Sequence, residues 1–144
     1  MSNIELVQTG MRAWEANNAN TLSSLVAEDF VMTGPTPQPL DKAAFIGFMH
    51  ILLAAFPDFA FNVSSFEENG DTVIAYSHIT GTHRGTLALP GFPPIPATGQ
   101  KVALPQEVQA YTVKNGKLQS LNTDARPDAG IPGILSQLGV SLPQ

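Results

Sequence analysis

The sequence predicts an α+β domain in which helices come first and antiparallel strands follow. Two observations carry this prediction. Apolar residues recur at helical spacing as far as Phe56, and at alternate positions after Pro57. The turn signals Asn69-Gly70-Asp71 and Asn115-Gly116 then divide the second half into strands of a meander. A curved antiparallel sheet with the helices on its concave face leaves a cone with a partly apolar interior, and such a cone is a natural ligand pocket. With 144 residues, no internal repeat and no break in composition, residues 1–144 are expected to form one domain.

Each element has its own signal. Ile4, Val7, Met11 and Trp14 mark an amphipathic helix that the Asn17-Asn18-Ala19-Asn20 cluster stops. Asn20 or Thr21 can cap a second helix with Leu22, Leu25 and Val26 inward. The three prolines of the 34–39 stretch make a loop. Asp41 caps the clearest helix, whose apolar face is Phe45, Phe48, Met49, Leu52, Leu53 and Phe56, and Pro57 ends it. Phe59, Phe61 and Val63 alternate as in a strand, and Thr72 to Thr82 reads as one long strand. Leu87 to Gly99 is a Gly- and Pro-rich loop. Lys101 to Val113 and Lys117 to Asp124 form a hairpin around Asn115-Gly116, with Pro105 at a bulge or an edge. Ile131, Ile134, Leu135 and Leu138 suggest a short closing helix.

Composition excludes several classes of function. A net charge of −5 with seven scattered Lys and Arg provides no basic stripe for nucleic acid and no attraction to an anionic membrane. With no Cys, neither a disulfide nor a thiolate metal site can form, which fits a cytoplasmic protein. The N-terminus lacks a secretory pattern, and the longest apolar run, Ile51 to Phe56, is too short to span a bilayer. No His/Asp/Glu spacing recommends a metal, and no nucleophile elbow, phosphate loop or dinucleotide fingerprint is present. No cofactor is expected.

The hairpin supplies the sharpest chemical candidates. A two-residue turn at Asn115-Gly116 sets Lys114 opposite Lys117, Tyr111 opposite Ser120, Gln109 opposite Asn122 and Glu107 opposite Asp124. The last three pairs would share one polar face, with Val108, Ala110, Leu121 and Thr123 on the other. Two opposed carboxylates repel when both are ionised, so burial would favour one of them staying protonated as a weak acid near neutrality. Such a group can move a proton α to a carbonyl. The competing reading is a face turned to solvent or to a dimer partner. Trp14, Met32, Phe48, Met49 and Phe56 can wall a pocket or be plain core. His78 and His83, five apart on one strand, point to opposite faces. His83 can polarise a carbonyl or fix the strand end, and His78 can contact a ligand. Asp124 and Arg126, two apart, share a face if the strand continues and can make a surface ion pair.

Five stretches occur in an order that resembles SnoaL-like polyketide cyclases of the nuclear-transport-factor-2-like superfamily. They are Glu28-Asp29-Phe30-Val31, Ala55-Phe56-Pro57-Asp58-Phe59, Gly81-Thr82-His83-Arg84-Gly85, Pro96-Ala97-Thr98-Gly99-Gln100 and Asn115-Gly116-Lys117-Leu118. The resemblance implies a cone-shaped, cystatin-like barrel that pairs through its sheet as a homodimer and takes a small hydrophobic ligand. It also implies ring closure by an intramolecular aldol reaction, without metal or organic cofactor, with Asp124 at the position of the family's acid–base carboxylate. Other members of the superfamily are isomerases, dehydratases or epoxide hydrolases, and some have no known activity. Two positions depart from the family pattern: Met32-Thr33-Gly34-Pro35 lacks the usual His, and Ser120-Leu121-Asn122 lacks the usual Trp. Three functions therefore stand open: a cofactor-free cyclase or isomerase, a non-catalytic ligand-binding or dimerisation domain, and an epoxide-hydrolase-like hydrolase.

Overall fold

Helix α1 (Asn3–Glu15) begins at a reciprocal cap, in which Ser2 Oγ accepts from the Glu5 N–H and Glu5 Oε1 accepts from the Ser2 N–H. Its buried face includes Leu6, Val7, Met11 and Trp14. The computed structural model describes residues 1–34, 36, 38–123 and 126–140. Helix α2 (Ala19–Leu25) starts two or three residues earlier than the sequence suggests, because Asn18 rather than Asn20 or Thr21 caps it, its side chain accepting from the Thr21 N–H at 3.1 Å. Val26, expected in this helix, instead opens strand β1 (Val26–Thr33), which makes a short pair with β2 (Leu40–Asp41). Asp41 then caps α3 (Lys42–Ala55), with Oδ1 accepting from the Ala44 N–H at 2.9 Å.

The later strands are β3 (Ser65–Asn69), β4 (Thr72–Ser77), β5 (Thr80–Thr82), β6 (Lys101–Ala103), β7 (Glu107–Lys114) and β8 (Lys117–Thr123), and α4 (Gly130–Gln137) closes the chain. Six strands form one curved sheet in the order β2-β1-β8-β7-β4-β3, and β5 pairs with β6. The expected meander is therefore mixed: β1 reaches the sheet from the helices rather than through a hairpin, and it runs parallel to β8. The predicted strand around Phe59 to Val63 does not form beyond one bridge, Ala60 to Thr80. Asn62 takes a left-handed φ of 51° there, and its amide bonds the His78 carbonyl and Thr80 Oγ1 instead. Phe59 and Phe61 are buried all the same.

The two long strands expected at 72–82 and 101–113 are each broken. Ser77 pairs with Glu107, and Thr80 with Ala103, so two residues on one side oppose three on the other. Pro105, which has no N–H to contribute to a ladder, falls in the wider gap. The turn at Asn115-Gly116 has positive φ at both residues, 54° and 71°, as a type I′ hairpin needs. At the centre of the core, Trp14 meets Phe45, Phe48, Phe59 and Phe61 with ring centroids 5.3 to 6.1 Å apart.

Candidate functional site

Alternation along β7 sends Glu107, Gln109, Tyr111 and Val113 to the inner side of the sheet, where all four are buried. Helices α1 and α3 cover that side, and α4 lies across one end. Between them is a cavity of about 60 Å³. Its wall is mostly apolar and includes Trp14, Met32, Phe45, Phe48, Leu121 and Ile134. The polar side chains that reach it are few: Glu107, Gln109, Tyr111 and Thr123.

The hairpin register differs from the one the turn predicts. Lys114 does pair with Lys117 and Val113 with Leu118, but Thr112 then pairs with Ser120, Tyr111 with Leu121, and Gln109 with Thr123. Gln119 is the extra residue of a β-bulge. Its side-chain amide donates to Asp29 Oδ1 on β1 at 2.8 Å, so the neighbouring strand fixes the bulge. A one-residue slip exchanges the faces of everything beyond it. Leu121 and Thr123 therefore join Gln109 and Tyr111 at the cavity. Asn122, predicted to share their face, is exposed on the opposite one and donates to Thr33 Oγ1 at 2.7 Å. Asp124 lies outside the described residues.

Glu107 is 3% exposed, and its Oε1 accepts from the Gly130 N–H at 2.9 Å. The carboxylate thereby caps α4, where the residue at the N-cap position, Ala129, makes no side-chain cap of its own. Ser77, also buried, faces Glu107 across the β4–β7 pair. Burial pushes the Tyr111 phenol far above its ordinary value, so it stays protonated and can donate. Two buried atoms of the cavity wall, Trp14 Nε1 and Gln109 Oε1, have no hydrogen-bond partner among the described residues. Arg126 donates to the Gln106 carbonyl at 2.7 Å and lies 3.3 Å from Asp128.

The remaining candidates lie elsewhere. His83 is fully buried but does not line the cavity. Its Nδ1 lies 2.9 Å from Thr98 Oγ1 and its ring centroid 5.4 Å from that of Phe56. Burial lowers its pKa, with the nearby backbone of Ile95 and Gly85 opposing that shift, so the neutral imidazole is favoured. Phe56 packs against this ring and not into the cavity. His78 is exposed and holds the chain through its backbone, its N–H donating to the Phe61 carbonyl at 2.9 Å. Met49 is core. Trp14, Met32 and Phe48 do reach the cavity. Sequence reading missed the share taken by α4, through Gly130, Ile131 and Ile134, and by Leu118, Leu121 and Thr123. The signal for the last three was present: Leu118 and Leu121 stand three apart, which a regular strand cannot bury on one face. Among the described residues no group of three or more His, Asp or Glu could hold a metal, and no helix is long and apolar enough to cross a membrane.

A family model described as SnoaL-like polyketide cyclase matches residues 4–121. Among curated proteins no match is found. Solved structures of the same architecture include IdmH from Streptomyces antibioticus, proposed to be a polyketide cyclase. It is 23% identical, with 97% of this chain and 100% of that one covered at a TM-score of 0.75. A protein from Xanthomonas campestris, also proposed to be a polyketide cyclase, is 18% identical over 94% and 96% of the two chains, with a TM-score of 0.74. A ketosteroid-isomerase-like protein from Catenulispora acidiphila, crystallised with trimethylamine, is 17% identical over 95% and 94%, with a TM-score of 0.69. At these identities the likeness establishes the fold.

Proposed function

The chain belongs to the SnoaL-like polyketide cyclase family, and from that premise we propose that it is a cofactor-free cyclase or isomerase that moves a proton on a neutral carbonyl compound held in the cavity. The observation that carries this reading is a buried carboxylate, Glu107, at the wall of an otherwise apolar cavity and beside two neutral hydrogen-bonding side chains, Gln109 and Tyr111. An apolar wall favours a neutral ligand, and a carboxylate beside it can take a proton from the carbon next to a ketone. The C–H bond breaks, the proton passes to the carboxylate, and the electron pair becomes an enolate. A protonated phenol such as Tyr111 can donate to the enolate oxygen. Attack of the enolate carbon on a second carbonyl of the same molecule forms the ring bond, and the proton then returns to the new alkoxide. Return of the proton to a different carbon gives isomerisation instead. Asp124 is proposed to share the proton with Glu107, as the family pattern suggests.

His83 is assigned to the scaffold on the strength of its Thr98 and Phe56 contacts. The same reading has the protein act as a cytoplasmic homodimer. The outer sheet face is suited to pairing: Ile74, Tyr76, Val108, Ala110 and Thr112 are only half-buried there, and Val31 is 41% exposed. A second reading, ligand binding without turnover, is favoured by the stretch that lacks the family His. Gly34 there packs so closely on Thr123 that no side chain could be accommodated.

Solvent deuterium exchange at the methyl group of acetophenone, followed by NMR, tests the choice. Exchange catalysed by the protein is expected, and Glu107→Gln should slow it at least about 100-fold while acetophenone still binds. Binding without any exchange above buffer would leave the second reading.

A further inference from the structure

The cavity's orphaned polar atoms give the site a chemical preference. Trp14 is 5% exposed and Gln109 is 4% exposed, and both line the cavity. Indole Nε1–H can only donate, whereas the Gln109 amide carries a donor and an acceptor. Trp14 Nε1 and Gln109 Oε1 are both buried without a partner among the described residues. Leaving such groups unsatisfied is costly, and in a native protein an unsatisfied buried group calls for an explanation. Helix α1 supplies one of them and strand β7 the other, so the two reach the cavity from separate elements.

We propose that Trp14 and Gln109 form a two-point reader for a compact, neutral ligand with a carbonyl oxygen at Trp14 and a hydroxyl at Gln109. This deepens the proton-transfer reading, since it names the substrate class of the same site. Trp14 Nε1 requires an acceptor, and Gln109 Oε1 requires a donor. Among the described residues no Lys or Arg lines the cavity to neutralise an anion, so carboxylates and phosphates are rejected by uncompensated desolvation. A volume of about 60 Å³, well below the roughly 300–1,000 Å³ of ordinary ligand pockets, restricts the ligand to about one ring unless the walls move. The two hydrogen bonds would fix which carbon of the ligand lies near Glu107.

Binding rather than turnover tests the proposal. The probes are 3′-hydroxyacetophenone, acetophenone, 3-hydroxybenzoate and ethylbenzene, the last matching acetophenone in shape without its oxygen. Wild-type protein should bind acetophenone about tenfold more tightly than ethylbenzene, bind 3′-hydroxyacetophenone more tightly still, and not bind 3-hydroxybenzoate measurably. Trp14→Phe should remove the tenfold preference for acetophenone over ethylbenzene. Gln109→Leu should remove only the extra gain from the hydroxyl. Trp14 is the one tryptophan in the chain, so its single indole N–H resonance reports on the wild-type protein directly, even where a variant fails to fold. It should move downfield with acetophenone and not with ethylbenzene. Equal affinity for acetophenone and ethylbenzene, an indole resonance that ignores the ketone at saturation, or no binding of any probe would overturn the proposal. The proton-transfer reading fails separately: ligand discrimination without deuterium exchange sinks it and leaves the reader, and exchange without discrimination does the reverse.

Discussion

Two regions of this molecule differ in how far they pair their polar groups. Where the α3 end, β5 and the loop before β6 meet, most polar groups are closely paired, the buried His83 Nε2 being an exception. Asp58 accepts from both the Thr82 N–H and the Thr82 hydroxyl, at 2.6 and 2.7 Å. The N–H groups of Arg84 and Gly85 both donate to the Ala55 carbonyl. The backbone of His83 bonds Gln100 and Gly99, while its ring meets Thr98 and Phe56. At the cavity, by contrast, Trp14 and Gln109 leave buried atoms unpaired. The first region is built to hold a shape. The second carries a local cost that, on the proposal above, a ligand relieves.

That contrast can be broken at its strongest point first. Gly85→Ala would drive a Cβ into the Ala54 carbonyl oxygen, which is backbone and cannot swing aside. A loss of about 3 kcal/mol is expected in urea unfolding, at the upper end of overpacking costs. Little change would show that this junction is looser than its hydrogen bonds suggest.

A smaller effect is expected from Asp58→Ala, which strands the buried Thr82 hydroxyl. About 1 kcal/mol is the expected loss, discounted because Asp58 itself is largely exposed to solvent. The Thr82 bonds hold the Asp58 pKa below the ordinary 3.8. A carboxylate with a lowered folded pKa stabilises fully above its unfolded value, and that stabilisation disappears as pH falls through the folded one. Wild type and variant should therefore differ at neutral pH and converge in acid, as thermal melts across pH would show.

The smallest effect should come with the opposite sign. Gln109→Leu replaces an unsatisfied amide with an apolar group of similar size, so stability should stay within about 0.5 kcal/mol or rise. Ligand discrimination should fall at the same time. A clear loss of stability would mean that the amide supports the fold, and the contrast between the two regions would collapse.

The same division explains what could be read from the sequence. Three of the five motifs that carry the family resemblance contribute to the paired region, among them Asp58, Thr82, His83 and Thr98. Their bonds link short segments of fixed spelling, so recognising the segments amounts to recognising the scaffold. The helices were legible because their apolar spacing is local and because Asp41 is a local cap, although the sequence pointed to Asn20 or Thr21 where Asn18 caps the second. The hairpin turn was legible because Asn-Gly is a local signal. The pairing beyond the turn was not, because the bulge depends on Gln119 reaching Asp29, 90 residues away along the chain. Asn62 broke a predicted strand for a similar reason, since its partners on the 78–80 stretch are brought to it only by the fold. His83 sits in a family motif that left chemistry and fixing of the strand end both open, and its ring lies against Thr98 and Phe56, outside the cavity wall.

The bulge at Gln119 has a further consequence for how this strand can vary. Upstream of it and downstream of it, odd and even positions mean opposite things: Leu118 is inward as an even number, Leu121 and Thr123 as odd ones. Gln119 acts as a parity switch, and the two segments tolerate substitution by different rules. Deleting that single residue would leave a regular ladder in which Leu118, Leu121 and Thr123 all still face inward, whereas flattening the bulge with Gln119 in place would deliver Ser120 and Asn122 to the cavity and Leu121 to the surface.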